Sequence, residues 1–331
     1  MSLIVGEILK KIKVAFIFKS SNIFLTGKHF DNTYFHFFMN ALKRNTRLEL
    51  TYFPTKQIFD ASILKDKFDI ILLWQNFDFG MPEEIIGIQE LDIPVIANIG
   101  DPQFAKRSIK YHKKWKIDHY FHYFPDTLFY QLFPREFNYT TIVFGLEPKL
   151  FQNIIPFKNR IKNKILNSGA VGPTKKISRI INSIRDPKWN SNRYYALRTK
   201  CNELPYVDYT STLQHEFIGD KYTLLLQKYS SAIAATTFET SIKYWEIPAS
   251  GCLTFMEITK KNNGEYLGYV DGETGIFINE ENFSEKFEAY LNDRDNPKWE
   301  KIANAGRQHA LENFNNDKAV DSLANLMENY T

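Results

Sequence analysis

At 331 residues the chain is long enough for two domains of about 150 residues each. With 44% hydrophobic and 24% charged residues, it buries too much apolar surface to be a disordered chain. Cys201 and Cys252 are the only cysteines, too few for a disulfide framework or a four-thiolate zinc site. They point to a reducing, cytoplasmic compartment. No run of about 20 apolar residues predicts a membrane-spanning helix. The N-terminal stretch, broken by Glu7, Lys10, Lys11 and Lys13, lacks the apolar segment of a secretory signal and reads as part of the mature fold.

In chain order, β-rich apolar runs at 13–18, 48–53, 68–74, 94–99, 119–124 and 140–144 predict strands. Helical patterns at 29–44, 82–91, 104–116 and 126–132 separate them. Alternation of this kind predicts a parallel sheet covered by helices on both faces. The pattern then restarts. Strands are expected at 164–169, 206–210, 232–236 and 252–256, and helices at 174–184, 222–229, 242–249, 283–291 and 299–314. The fold class is therefore α/β, with two Rossmann-like doubly wound domains facing across a cleft. The expected boundaries are 1–155, 156–315 and a C-terminal helix over 316–331 that packs back on the first domain, with the join near 148–160.

The net charge of +4 conceals an uneven distribution. Residues 158–200 hold twelve basic residues and one acid, Asp186, whereas 201–331 hold eleven basic and twenty-one acidic ones. A concentrated positive segment fits an anion site as well as it fits a solvated surface. Within it, Asn167-Ser-Gly169-Ala-Val-Gly172 follows a strand, and Thr174-Lys175-Lys176-Ile-Ser-Arg179 opens a helix. A loop of this kind can aim N–H groups at a phosphate, and Lys175, Lys176 and Arg179 add cationic side chains. The G-x-x-x-x-G-K-[ST] spacing of a Walker loop is absent. An exposed basic helix is the alternative.

The most specific stretch is Lys243-Tyr-Trp-Glu246-Ile-Pro-Ala-Ser-Gly251-Cys-Leu-Thr-Phe. It reads as a helix capped at Gly251 that drops into a buried strand. Glu246, one turn before the stop, can accept the two hydrogen bonds of a ribose diol. This run resembles the donor-binding signature of GT-B glycosyltransferases of the group 1 superfamily, in the variant of the spore-maturation-type family. Val143-Phe-Gly145-Leu-Glu-Pro148-Lys-Leu-Phe151, Asn304-Ala-Gly306-Arg307-Gln-His-Ala-Leu-Glu312 and Ile99-Gly-Asp101-Pro102 resemble three further segments of those enzymes. The resemblance implies GT-B architecture and sugar transfer from a nucleotide-sugar donor, with Lys243 and Glu246 on the donor and no obligatory metal. Many relatives carry seven residues between two glutamates; here six separate Glu239 from Glu246. The resemblance assigns Glu239 a catalytic place near the donor sugar.

In the first domain, Gly27 precedes a helix and suits a close backbone approach to phosphate or acceptor as well as an ordinary loop. Asp101, after a strand, suits a base for an acceptor hydroxyl or a turn cap before Pro102. The seven histidines form no metal constellation, and packing is the expected role of His119 and His122. No cofactor is expected. The basic aromatic helix at 104–116 fits peripheral contact with an anionic inner-membrane face or simple solvation; nucleic acid is not an expected partner. The acceptor class stays open between a glycan, a lipid-linked saccharide and a surface polysaccharide. A nucleotide-sugar epimerase and a non-catalytic nucleotide-sugar-binding protein are the alternatives.

Overall fold

A computed structural model describes residues 10–20, 34–74, 80–102, 105–173, 175–185, 190–210 and 220–331. Gly27 and the first residue of the expected 174–184 helix lie outside the described residues. Two compact units emerge. The first comprises described residues up to 20 together with 38–142 and 317–331; the second comprises 143–316 together with the described residues 34–37. The division thus falls after Ile142, where the sequence reading places it at 155, and the C-terminal segment from Asp317 counts with the first unit.

The first unit contains β1 (Ile12–Lys19), β2 (Leu48–Thr55), β3 (Ile58–Asp60), β4 (Ile70–Leu73), β5 (Glu84–Ile86), β6 (Val95–Asn98), β7 (His119–His122) and β8 (Tyr139–Thr141). Its six-stranded sheet runs β2-β1-β4-β6-β7-β8, and every pairing is parallel. β4 and β6 are buried at every position, as continuous apolar strands covered on both faces should be. The helix expected over 82–91 is absent. Instead β5 pairs with β3, and a single 3-10 turn, Ile88–Glu90, follows Gly87 at φ +76°. Ile85 and Ile88, both buried, have helical spacing, but the pairing with β3 is nonlocal and overrides it.

The helix Asn316–Glu328 closes the chain. Its Asp317 lies 2.7 Å from Arg44, and Glu328 lies 2.8 Å from Arg47. These pairs are exposed and contribute little; buried Val320, Leu323, Ala324 and Met327 supply the apolar contact. His119 bonds the Tyr330 hydroxyl at 2.9 Å and Thr140 at 2.8 Å. Burial lowers the pKa of His119 to about 4 and holds buried His122 well below the ordinary range, so both are neutral packing groups at pH 7.

The second unit contains β9 (Ile165–Ser168), β10 (Val207–Thr210), β11 (Ser231–Ala234), β12 (Leu253–Met256) and β13 (Ile276–Phe277). The sheet order is β10-β9-β11-β12-β13, all parallel. Ile165, Ile233, Leu253, Phe255, Phe287 and Tyr290 form its core. From β9 the chain crosses to β10 on one side and afterwards to β11 on the other. The carboxyl ends of β9 and β11 therefore flank a topological switch point, where open α/β sheets place their ligands.

Candidate functional site

β9 ends at buried Ser168, and Gly169 follows at φ +89°. A Cβ at residue 169 would stand 2.9 Å from Arg198 Nη2 and 3.0 Å from Lys243 Cε. The positive φ calls for glycine, and the missing Cβ leaves room for two cationic side chains to approach.

Arg198 comes from the short helix Ala196–Cys201 and is 2% exposed. Its Nη2 donates to the Ser168 carbonyl at 2.5 Å, and its guanidinium lies 5.0 Å from the Tyr195 ring centroid. Among the described residues Nε has no hydrogen-bond partner, and no carboxylate forms an ion pair with Arg198. Glu257 feels its charge, but burial raises the Glu257 pKa to about 7, so it is an incomplete counterion. Burial pulls the Arg198 pKa below its ordinary value. Leaving a charge buried without a full partner is costly, and an anion would relieve that cost.

Lys243 opens the helix Lys243–Ala249. Its Nζ lies 3.1 Å from the Tyr222 hydroxyl and 3.3 Å from Ser168 Oγ, and 4.8 Å from the Tyr222 ring centroid. Ser168 Oγ and the Tyr222 hydroxyl are 2.7 Å apart. Among the described residues Lys243 has no ion pair either. Burial, assisted by the Arg198 charge, lowers its pKa to about 7, against the pull of Glu246. Glu246, three residues on, is on the same helical face. Burial raises its pKa to about 8 although Lys243 opposes the shift, and its buried Oε2 has no hydrogen-bond partner among the described residues. Three groups with unmet polar capacity therefore gather beside the carboxyl end of β9: two cations and one carboxyl group.

The helix is fixed from behind. Pro248 lies inside it and cannot donate to the Tyr244 carbonyl one turn earlier. The Tyr269 hydroxyl donates to that carbonyl instead, at 2.7 Å. Gly251, at φ +75°, ends the helix as the sequence predicts, before buried β12.

Glu239 lies in the loop after β11 and is 8% exposed. It accepts a hydrogen bond from the Tyr194 hydroxyl, while its backbone carbonyl accepts from Thr236. Asn262 anchors the same loop by donating to the Thr236 carbonyl at 3.0 Å.

The basic residues singled out from the sequence are placed differently from this cluster. Lys175 and Lys176 are exposed. Arg179 Nε donates to the Pro173 carbonyl at 2.9 Å, and the guanidinium stands 3.6 Å from Glu203. The expected N–H donors of the loop are also engaged: Gly169 N donates to the Thr210 carbonyl and Gly172 N to Thr199 Oγ1, both at 2.8 Å. Positive potential at Gly169 thus comes from buried Arg198 and half-buried Lys243. Arg198, Ser168 and Tyr222 were not distinguished by the sequence; the basic run contained Arg198, but only folding makes it the buried member. Asp101 belongs to the first unit, exposed beyond the carboxyl end of β6. Among the described residues no cluster of His, Cys, Asp or Glu is arranged for a metal, and no helix is long and apolar enough to cross a membrane.

Residues 175–325 match the sequence profile of a family described as glycosyl transferase-like. With two parallel-sheet Rossmann-like units, the fold is that of the GT-B glycosyltransferases, and the chain is an enzyme of that class. Among solved structures, it resembles the sucrose-phosphate synthase of Thermosynechococcus elongatus at 12% identity and a TM-score of 0.60, covering 96% of this chain and 99% of that one. Anabaena HepE, solved in complex with UDP-glucose, aligns at 12% identity and a TM-score of 0.59, over 96% and 100% of the two chains. A glycosyltransferase of Rickettsia africae aligns at 11% identity and a TM-score of 0.57, over 97% and 98%. No curated protein sequence matches the chain.

Proposed function

We propose that this glycosyltransferase takes a sugar from a nucleoside-diphosphate-sugar and transfers it to a hydroxyl of a glycan, lipid-linked saccharide or surface polysaccharide. The observation that carries the reading is buried Arg198 and half-buried Lys243 converging on Gly169 without a matching set of carboxylates among the described residues. A diphosphate supplies the missing negative charge. Guanidinium and ammonium groups held in place before the reaction stabilise the charge that develops on the departing nucleotide, so no divalent ion is needed in this scheme. Glu246, with an unmet carboxyl oxygen, serves the ribose hydroxyls. Glu239, held by Tyr194, faces the donor sugar, and Asp101 handles the acceptor hydroxyl. HepE complexes with UDP and UDP-glucose favour a uridine diphosphate donor as the first to try. The run 243–251 supports placement with the spore-maturation-type enzymes.

The test is calorimetric titration with UDP, followed by incubation with a panel of nucleotide-sugars in the presence of a chelator. Glu246→Ala should weaken UDP binding by up to about tenfold, the worth of one hydrogen bond. Equal affinity in wild type and variant would remove Glu246 from the donor site. Abolition of turnover by the chelator, with UDP still bound, would refute the metal-independent scheme.

A further inference from the structure

The helix Lys176–Arg185 is built inside out. Ile177, Ile180, Ile181 and Ile184 recur at helical spacing, yet their exposures are 73%, 60%, 59% and 76%. An amphipathic helix of a globular domain normally turns such a stripe inward. Here the inward face is polar. Arg179 bonds the Pro173 carbonyl, Asn182 Oδ1 accepts from Ser191 Oγ at 3.2 Å, and Asn192 Nδ2 donates to the Arg179 carbonyl at 2.8 Å. The polar contacts hold the helix in place while four large aliphatic side chains meet solvent.

Charge around the stripe identifies what would cover it. At about 100° per residue, the four isoleucines fill an arc of about 100°, and Lys176 and Arg185 each stand about 40° beyond one edge. Lys175 adjoins them, and no acid lies between 175 and 185. A second copy docked on the same face would bring these like charges together around a two-fold axis. An anionic bilayer satisfies both features, with apolar side chains entering the acyl boundary and cations meeting the headgroups. The basic helix Ala105–Lys114 offers less. Its residues Lys106, Arg107, Lys110 and Lys113 are exposed, but Trp115, just beyond it, is 1% exposed and packs on Tyr111, leaving charge without an aromatic anchor.

We propose that the Lys176–Arg185 helix is a membrane-surface contact, which inserts its isoleucine stripe into an anionic lipid leaflet. The surface is separate from the donor-site reading and is tested without it. The full chain is sedimented with vesicles of phosphatidylcholine containing about 30 mol % phosphatidylglycerol, and with phosphatidylcholine alone. Wild type should sediment with the anionic vesicles and be released by salt. The double variant I180S/I184S should lower the bound fraction by about fivefold or more, with its melting temperature and its UDP affinity in vesicle-free solution unchanged. Arg185→Gln should weaken binding to a smaller extent. Wild type left in the supernatant, equal binding to neutral vesicles, or undiminished binding by the double variant would overturn the proposal. So would light scattering that shows a wild-type dimer converted to monomer by I180S/I184S, which would give the face to a second copy.

Discussion

Replacing Arg198 by Met separates a binding role from a structural one. Methionine nearly matches the aliphatic volume of the side chain but removes the charge. The substitution forfeits the 2.5 Å bond to the Ser168 carbonyl, worth roughly 1.5–3 kcal/mol for a charged donor. It also removes a charge that is 2% exposed and has no carboxylate ion-paired with it among the described residues, whose burial penalty is about several kcal/mol. The two effects oppose each other at similar size, so the ligand-free melting temperature should shift by no more than about 5 °C in either direction. The ligand-bound state behaves otherwise. A ligand at about a hundredfold excess over its Kd stabilises wild type by about 2.7 kcal/mol, or about 5–10 °C for a unit of this size. In Arg198→Met that UDP-induced rise should largely vanish, with affinity down by about ten- to a hundredfold. Differential scanning fluorimetry with and without UDP, backed by calorimetry, reads both quantities. A collapse of ligand-free stability with UDP affinity preserved would show that Arg198 only holds the core together, and the anion-site argument would fail.

Two further predictions follow from the same cluster and its support. Lys243 is lowered to about 7 and Glu246 raised to about 8, so raising the pH from 7 to 9 removes the half of the Lys243 ammonium charge still present at 7 and turns Glu246 from mostly neutral acid to carboxylate. UDP affinity should therefore fall across that window, by up to about tenfold per unit for each linked proton, and calorimetry in buffers of different ionisation enthalpy should register proton uptake on binding; constant affinity without proton uptake would contradict it. A Cβ at Gly306, on the helix Pro297–Asn313, would stand 2.3 Å from the Thr274 carbonyl oxygen and 3.7 Å from Pro248 Cβ. Gly306→Ala should accordingly cost about 1–3 kcal/mol through overpacking, lowering the melting temperature by about 3–10 °C; an unchanged melting temperature would show that the two segments separate freely.

Much of the architecture was legible because it follows from local patterns. Both runs of strands and helices, the restart near 164 and the helix stop at Gly251 are written in apolar periodicity and glycine placement. The segment 82–91 was not, since the pairing of β5 with β3 depends on residues distant in the chain. The helices Ser191–Tyr194 and Ala196–Cys201 were missed for a related reason: they are short, and packing, not a long periodic stripe, establishes them. Missing them also hid Arg198.

Charge shows the same division. Composition alone reveals a basic segment beside an acidic one, because the count of Lys and Arg is a property of the chain. Which cations become buried is a property of packing. The loop residues Lys175 and Lys176 remain exposed, while Arg198 is brought from a later helix to meet Lys243 across Gly169. The sequence thus determined the alternating α/β order, the residue types available and the helix that carries Lys243 and Glu246. Tertiary structure alone decided which of them share a low-dielectric corner, because desolvation and electrostatic coupling depend on distances between residues far apart in the chain.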